Sequence, residues 1–444
     1  MLKFHLVADP HYYPYEILGF NDRRSQTTLN EGGAVIDSAF EILIADKSTD
    51  LVLLAGDLTH DGELPAHEDF IKKLRHLQEN GKRVILITAS HDYDCYEDPP
   101  EGEARREGKL YRSDLYALYQ EFGHQEAIAE HPNFSYVVQL APGYRLLCLY
   151  NDGESHELRR MTDWIVEQVQ KAREDGQFIF AMHHYPMLPP SPIYSVIAAG
   201  NMIKDWDAVT SLLADAGLRF VFTGHSHMTN ITCKTSENGN RLYEINTGSL
   251  TGYPAPIREV VIDEESMHIS TNYVERFDWD LQGKTAKQYL SDSFDRMLNA
   301  IFESAGHNAE ELLNIMAVEF SANKEALMKH KLLLTLGGKF LYYITLGGAG
   351  TLLLCRRKVP KSVRKIRVKD LIIETVRNIY AGDEPYSRDT PIGTAAWVLT
   401  GRLDKLAKPF LKNANLPFDN IQSFVASLLY DDTPDAEAAL PLRD

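Results

Sequence analysis

The chain has 444 residues, a formal net charge of −17 at pH 7 and a hydrophobic fraction of 44%. This length can hold two or three domains with sizeable cores, and the composition is that of an ordinary globular protein. The negative charge argues against a protein whose main task is to grip the nucleic-acid backbone, although it leaves room for a small anionic substrate held by metal ions.

Through about residue 275, short runs of β-type composition alternate with helical patterns. Several runs are apolar throughout, as strands covered on both faces must be. The predicted strands are Phe4–Ala8, Leu51–Ala55, Val84–Ile87, Leu146–Tyr150, Phe178–Met182, Phe220–Thr223 and Leu242–Ile245. Helical periodicity appears between them, for example at Ala66–Gln78 and Met161–Arg173. This alternation predicts a layered α/β domain.

From about Gln282 the pattern becomes helical, with apolar residues at helical spacing from Tyr289 to Phe302. Further helices are predicted at Glu310–Phe320, Lys369–Tyr380 and Phe418–Leu429. We therefore predict two domains, residues 1–278 and a mostly helical C-terminal domain of residues 279–444.

One stretch, Leu332 to Cys355, resembles a membrane span. Lys339 and five glycines interrupt it, so we expect a buried helix pair or hairpin and no membrane span. We expect the basic run that follows, Arg356 to Lys369, to be a solvated face. The four cysteines are scattered without a C-x-x-C pair, and the N-terminus shows no signal-peptide pattern. Both features predict a cytoplasmic location with reduced thiols.

Carboxylates and imidazoles follow five of the predicted strands at the point where each strand ends. They lie in D-P-H (Asp9, His11), G-D (Asp57), S-H-D (Ser90, His91, Asp92), H-H (His183, His184) and G-H-S-H (His225, His227). Open sheets place their chemistry at strand ends, and Gly56 and Gly224 allow the backbone to turn tightly there. Oxygen and nitrogen ligands without thiolate suit Mn, Fe or Zn, and they exceed what one tetrahedral zinc requires. We therefore predict a pair of divalent metal ions that share a carboxylate.

A single histidine at a strand end is more often structural, but chance explains five such motifs in this order poorly. The series D-x-H, G-D, S-H-D in place of N-H-D, H-H and G-H-S-H resembles the calcineurin-like metallophosphoesterase superfamily over roughly residues 1–275. Within it, G-D-L-T-H-D-G-E and the helical extension are most similar to bacterial class III cyclic-nucleotide phosphodiesterases. The resemblance implies an α/β fold, a four-layer αββα sandwich of two mixed sheets with a mostly helical C-terminal domain.

The resemblance also implies two sets of metal ligands: Asp9, His11 and His227 for the first ion, Asp57 as the bridge, and His183 and His225 with Ser90 for the second. Ser90 stands where the family usually has an asparagine. His91 resembles the catalytic histidine and Asp92 the carboxylate that orients it. His184 is expected beside the ligands without binding a metal.

The predicted function is hydrolysis of small-molecule phosphodiesters by a metal-bridging hydroxide, with cyclic nucleotides favoured by the resemblance. The charges of two divalent ions exceed those of Asp9, Asp57 and a hydroxide, so the remaining positive charge can hold a phosphoryl group. Two alternatives stay open. One is a phosphomonoesterase or nuclease on the same fold, and the other is a binding protein with weakened catalysis because of Ser90. We expect a small phosphate ester as the partner and no stable nucleic-acid partner; the oligomeric state is not determined by the sequence.

Overall fold

A computed structural model of the protein describes residues 1–21, 25–150, 158, 160–194, 198–307, 339, 342–411, 420–432 and 435–443. Contacts group the chain into two units. Unit 1 comprises Met1–Pro190, Asn201–Ser291 and Asp435–Asp444, and unit 2 comprises Ser191–Gly200 and Asp292–Pro434. The division into domains of residues 1–278 and 279–444 stays a prediction. The predicted helix at 310–320 lies outside the described residues, as do residues 332–338, 340 and 341 of the apolar stretch from 332 to 355.

Unit 1 contains strands that alternate with helices. The strands are β1 Leu2–Val7, β2 Leu51–Ala55, β3 Arg83–Ile87, β4 Ala127–Glu130, β5 Tyr136–Ala141, β6 Tyr144–Leu149, β7 Phe178–His183, β8 Phe220–Thr223, β9 Asn230–Thr235, β10 Arg241–Asn246, β11 Pro256–Ile262, β12 Ser266–Tyr273 and β13 Glu437–Pro441. The helices are α1 Tyr15–Leu18, α2 Gly32–Ala45, α3 Leu64–Glu79, α4 Arg112–Tyr119, α5 Thr162–Glu174 and α6 Trp206–Ala216.

The strands form two mixed sheets. The order is β13-β12-β11-β1-β2-β3 in the first sheet and β4-β5-β6-β7-β8-β10-β9 in the second. Neighbours among β1, β2 and β3 are parallel, as are neighbours in the series β6-β7-β8-β10, while the outer strands pair antiparallel. Parallel strands bring their carboxyl ends to one edge of a sheet, so the polar segments after β1, β2 and β3 meet there, as do those after β7 and β8.

The main core lies between the two sheets. Phe4 of β1 stacks on Phe180 of β7 and meets Phe222 of β8 edge-on, each with ring centroids 5.5 Å apart. A second cluster joins the outer side of the second sheet to α5 and α6 through Ile165 and Leu213. On the first sheet, α3 packs against β3 and α2 packs against α3. These layers form the predicted αββα sandwich, and the fold-class prediction is confirmed.

Unit 2 is mostly helical, as predicted. Helix α7 (Ala286–His307) begins in unit 1 and continues into unit 2, and α8 (Leu346–Leu352), α9 (Val368–Ala381), α10 (Pro391–Leu411) and α11 (Ile421–Leu429) follow. Single 3-10 turns lie between α8 and α9, at Arg356–Lys358 and Lys361–Val363. The core of unit 2 gathers buried residues from these elements, including Leu346, Val359, Leu371, Leu399 and Leu429. Within the described ranges, no helix has both the length and the apolar character that a bilayer crossing requires.

Candidate metal centre

Side chains from the ends of β1, β2, β3, β7 and β8 converge at one place. They form three groups of possible metal ligands: Asp9 with His11 and His227, His11 with Asp57 and His91, and Asp57 with His184 and His225. Within each group the ligand atoms lie within 4.8 Å of one another. Asp57 belongs to two of the groups, which is the position that a shared carboxylate must occupy.

Five residues of this cluster have left-handed backbone conformations: Asp9 (φ 50°), His11 (φ 42°), Asp57 (φ 49°), His225 (φ 63°) and His227 (φ 57°). Such conformations are uncommon outside glycine, and they concentrate at functional sites. Hydrogen bonds hold the turns: the Asp9 N–H donates to the Gly56 carbonyl at 3.2 Å and the His11 N–H to the Asp57 carbonyl at 3.0 Å. The end of β1 is thereby tied to the end of β2.

Two glycines allow the loops to close on the site, as the sequence predicts. Gly56 has φ 91°, and a Cβ added there would lie 2.7 Å from His184 Nδ1. A Cβ added at Gly224 would overlap the Asp9 carboxylate. Any larger residue at either position would therefore displace a candidate ligand.

The donor set fits divalent cations. His11 Nε2 lies 3.0 Å from His227 Nε2 and 3.7 Å from Asp57 Oδ2, and His227 Nε2 lies 3.5 Å from Asp9 Oδ1. Two imidazole nitrogens that face each other at this distance need a proton or a cation between them or beside them. Imidazole and carboxylate together are the ligands that borderline divalent metals prefer.

The structure reverses the predicted placement of the adjacent histidines after β7. His184 Nε2 lies 3.0 Å from Asp57 Oδ2, whereas His183 belongs to none of the three groups. The reason is the alternation of side chains along a strand. His183 shares the outer face with Ile179 and Ala181, and His184 continues the inner face.

Backbone carbonyls fix the ring orientation of both histidines. His184 Nδ1 lies 2.8 Å from the Ala55 carbonyl and His183 Nδ1 lies 2.7 Å from the Tyr185 carbonyl. A carbonyl only accepts, so each Nδ1 carries the proton and each Nε2 of a neutral ring presents a lone pair. His184 Nε2 faces Asp57: when the ring is protonated it donates to that carboxylate, and in the neutral ring it offers a lone pair to a cation beside both groups.

His91 and Asp92 lie in the 3-10 turn Ser90–Asp92 that follows β3. His91 is exposed, and its Nδ1 donates to the His60 carbonyl at 2.7 Å. Asp92 is buried, and its carboxylate accepts from the backbone N–H groups of Ala89 and Thr59, each at 2.8 Å. The structure thus shows His91 Nδ1 donating to the His60 carbonyl and the Asp92 carboxylate bound by backbone N–H groups, and the role of Asp92 in orienting His91 stays a prediction. In so tight a turn, consecutive side chains point in different directions. The buried Asp92 carboxylate closes the turn by accepting the Ala89 N–H.

The short side chain of Ser90 is hydrogen-bonded to a neighbouring tyrosine. Its Oγ accepts a hydrogen bond from the Tyr185 hydroxyl at 2.8 Å. The Tyr185 ring also lies against the His225 ring, with centroids 4.1 Å apart. Tyr185 was missed by the sequence reasoning, because nothing in H-H-Y indicates that the tyrosine reaches a serine 95 positions earlier.

The electrostatics of the cluster favour added positive charge. Burial would raise the pKa of Asp57, but His184 and His91 outweigh it and hold that pKa well below its ordinary value. Burial would lower the pKa of His184, but the Asp57 carboxylate raises it to about 9. Burial and the neighbouring Asp57 raise the pKa of Asp92 to about 7. A buried carboxylate of this kind is stable only beside compensating charge.

The segment after β10 supports the loops of the site. Asn246 accepts from the Ser226 hydroxyl and donates to the Gly224 carbonyl at 2.9 Å. The Ser249 hydroxyl donates to the Asp9 carbonyl at 2.7 Å. These contacts hold the G-H-S-H loop and the turn after β1 together.

The calcineurin-like phosphoesterase family matches residues 2–229, just over half of the chain. The chain belongs to this family. The predicted superfamily is therefore confirmed, and membership of the calcineurin-like phosphoesterases supports a phosphoric ester hydrolase. A dinuclear metal centre is typical of these phosphoesterases, and the ligand groups that share Asp57 agree with one.

No curated protein matches the chain significantly. Among solved structures, a dimetal phosphatase from Danio rerio is 13% identical, with 62% of this chain and 97% of that one covered at a TM-score of 0.43. A purple acid phosphatase from yellow lupin (Lupinus luteus) seeds is 13% identical; the match covers 61% of this chain and 51% of that one at a TM-score of 0.44. A 5'-nucleotidase precursor from Thermus thermophilus is 12% identical; the match covers 68% of this chain and 59% of that one at a TM-score of 0.36. At such scores these similarities carry no argument about activity.

Proposed function

We propose that this calcineurin-like phosphoesterase hydrolyses phosphodiesters of small molecules, with cyclic nucleotides as favoured substrates, and that it uses two divalent metal ions. The observation that carries the proposal is the meeting of two ligand groups at Asp57, with the exposed His91 beside them. The preference for diesters rests on the likeness of G-D-L-T-H-D-G-E to class III cyclic-nucleotide phosphodiesterases. The proposed cytoplasmic location rests on the four scattered cysteines of the sequence, which lack a C-x-x-C pair.

The proposed ligand assignment follows the groups. Asp9, His11 and His227 would hold the first ion, His184 with His225 would hold the second, and Asp57 would be shared by both. His184 takes the place that the resemblance gave to His183, because its Nε2 faces Asp57. Manganese, iron or zinc would suit this set.

When bound, the two ions would neutralise the phosphoryl charge and supply a hydroxide nucleophile at neutral pH. His91 is suited to protonate the departing oxygen. Desolvation lowers its pKa, but the Asp57 carboxylate and the His60 carbonyl raise it, and the net pKa is above the ordinary value. With Nδ1 held by a carbonyl, the proton available to a substrate is the one on Nε2.

The G-D-L-T-H-D-G-E segment supports the catalytic turn through its backbone. Thr59 donates to the Asp92 carboxylate and the His60 carbonyl accepts from His91. Gly62 has φ 69°, and a Cβ added there would lie 3.0 Å from the Asp92 carbonyl carbon. This segment therefore helps to orient His91 for the proposed reaction.

A substrate panel tests the proposal. The purified protein with added Mn²⁺ is assayed on bis-(p-nitrophenyl) phosphate, p-nitrophenyl phosphate, 3',5'-cyclic nucleotides, and single-stranded DNA and RNA. We expect the highest kcat/KM on diesters, including a cyclic nucleotide. Faster turnover of the monoester or of a polynucleotide would favour the phosphomonoesterase or nuclease alternative. Metal binding without turnover of any substrate would indicate a binding protein.

The assignment of His184 predicts different metal contents for two matched variants. In His183→Asn and His184→Asn the amide nitrogen replaces Nδ1 and keeps its hydrogen bond to a carbonyl, while Nε2 is lost. We expect His184→Asn to lose one metal per chain and most activity, and His183→Asn to keep both metals. Elemental analysis after desalting measures the difference. Loss of metal from the His183 variant alone would restore the original assignment.

Ser90 predicts a weakly held second metal. The Ser90 hydroxyl is shorter than an asparagine amide and is already bonded to Tyr185. We expect Ser90→Asn to tighten binding of that ion by roughly 10–100-fold, the usual scale for changes around a metal site, and to lower the Mn²⁺ needed for activity. Tyr185→Phe is the control, because it removes only the hydroxyl. A metal titration that is unchanged by Ser90→Asn would show that the serine does not weaken binding of the second metal.

A further inference from the structure

Unit 2 carries a dense basic segment in an otherwise acidic protein. Between Arg356 and Lys369 the sequence has eight lysines and arginines and no acidic residue, whereas the whole chain has a net charge of −17. Arg356, Arg357 and Lys358 are all exposed. No ion pair joins these three to an acidic side chain in the described part of the protein, so their charges are available to an external partner.

The fold directs these cations outward. Cys355, Val359 and Val363 of the same segment are buried in the core of unit 2 and anchor it. Basic residues between and just after the anchors therefore face solvent, including Lys361 and Lys365. The two 3-10 turns thus alternate buried apolar residues with exposed basic residues along the segment.

Two large leucines are exposed immediately before the cations. The side chain of Leu352 is 63% exposed and that of Leu354 is 89% exposed. Leu354 also has a left-handed backbone, with φ 53°. An exposed leucine side chain gains nothing from the hydrophobic effect, and a left-handed backbone conformation costs free energy, so neither feature of Leu354 stabilises the fold. An apolar partner would explain it.

An apolar cavity adjoins one of these leucines, Leu352. It has a volume of about 430 Å³, and threonines Thr375 and Thr400 are the polar residues in an otherwise apolar lining. Leu352 and Leu353 form part of that lining, with Leu346 and Val368. Its size lies within the range of about 300–1,000 Å³ that is usual for cavities that bind small molecules. Leu352 is therefore both exposed at the surface and part of the lining of an apolar cavity.

We propose that the face formed by Leu352, Leu354 and the basic segment 356–367 binds the surface of an anionic lipid bilayer. Clusters of four to eight lysines and arginines beside exposed apolar residues suit the phosphate level and the acyl boundary of such a membrane. A nucleic acid would use the cations but would leave the two leucines in water. The proposal describes peripheral attachment, without a spanning helix, and does not depend on the proposed function.

Vesicle co-sedimentation of the full-length protein tests the proposal. We expect binding to vesicles of phosphatidylcholine with phosphatidylglycerol, weak binding to pure phosphatidylcholine, and a decline with rising salt. The triple variant Arg356→Glu, Arg357→Glu and Lys358→Glu should bind on the order of 100-fold more weakly, from the usual contribution of each basic residue at an anionic surface. The matched control reverses three exposed cations elsewhere, Lys47, Arg106 and Lys204, and should bind like the wild type.

The leucines are tested separately. Leu352→Ser with Leu354→Ser should abolish the binding that persists at high salt, whereas Leu406→Ser with Ile128→Ser, exposed by 61% and 53%, should not. Thermal unfolding confirms that each variant folds. Equal binding by wild type and the triple variant, no effect of the leucine pair, or preference for a fluorescent oligonucleotide over the vesicles would each overturn the proposal.

Discussion

Replacing Asp57 by alanine is expected to lower activity more than any other single change at the site. The carboxylate lies 3.0 Å from His184 Nε2 and 3.7 Å from His11 Nε2, and it accepts the His91 N–H at 3.1 Å. Its removal would leave two adjacent cations without their shared anion. We expect loss of both metals and a rate loss above ~10³-fold, beyond the ~10²–10³-fold that removal of one stabilising group usually costs.

Elemental analysis and single-turnover assays on the same preparation measure this effect. Asp57→Asn is the matched variant, since it keeps the size of the side chain and an oxygen for the His91 N–H but removes the charge. It should resemble the alanine variant in metal content. Two metals per chain at wild-type affinity in either variant would disprove the bridging role.

Replacing His91 by alanine should leave the metals in place while turnover falls by ~10²–10⁴-fold, the usual contribution of a general acid. The contact between His91 and Asp57 is made by the backbone N–H, which alanine retains. The loss should be smaller for aryl esters, whose leaving groups hardly need a proton. Rates on p-nitrophenyl and ribose esters, measured at saturating Mn²⁺, show the contrast.

His91→Asn separates acid chemistry from positioning. Its amide can still donate to the His60 carbonyl, as Nδ1 does at 2.7 Å, but it offers no proton to a substrate. Activity close to that of the wild type in this variant, or an equal loss on both kinds of ester in His91→Ala, would argue against the acid role.

Continuous apolar runs made the central strands predictable. Leu51–Ala55 and Phe220–Thr223 have the predicted limits, because a strand buried on both faces must be apolar throughout. Strands β4, β5 and β11 were missed, as were the more polar strands β9, β12 and β13. The sequences of these last three, N-I-T-C-K-T, S-M-H-I-S-T-N-Y and E-A-A-L-P, contain polar residues or alanine, and pairing with neighbours decides their conformation.

Residue types and order indicated the site, but orientation did not follow from them. The choice between His183 and His184 depends on which face of β7 each residue occupies, and two identical neighbouring letters do not reveal that. The His60 carbonyl beside His91 is a backbone atom, which leaves no signature in the sequence. The bond from Tyr185 to Ser90 depends on how the two sheets pack. Tertiary geometry therefore supplied what local pattern could not.

The five left-handed residues at the site limit how this protein can evolve. Each such conformation costs roughly 1–3 kcal/mol, against a total stability of about 5–15 kcal/mol for an ordinary domain. Aspartate and histidine, the two residue types at these five positions, are among the non-glycine residues enriched in this conformation. A lineage that keeps the chemistry has less tolerance for destabilising mutations elsewhere in the sandwich. A lineage released from that selection can regain stability by admitting glycine at these five positions, so their residue types should record whether a homologue is still under selection for catalysis.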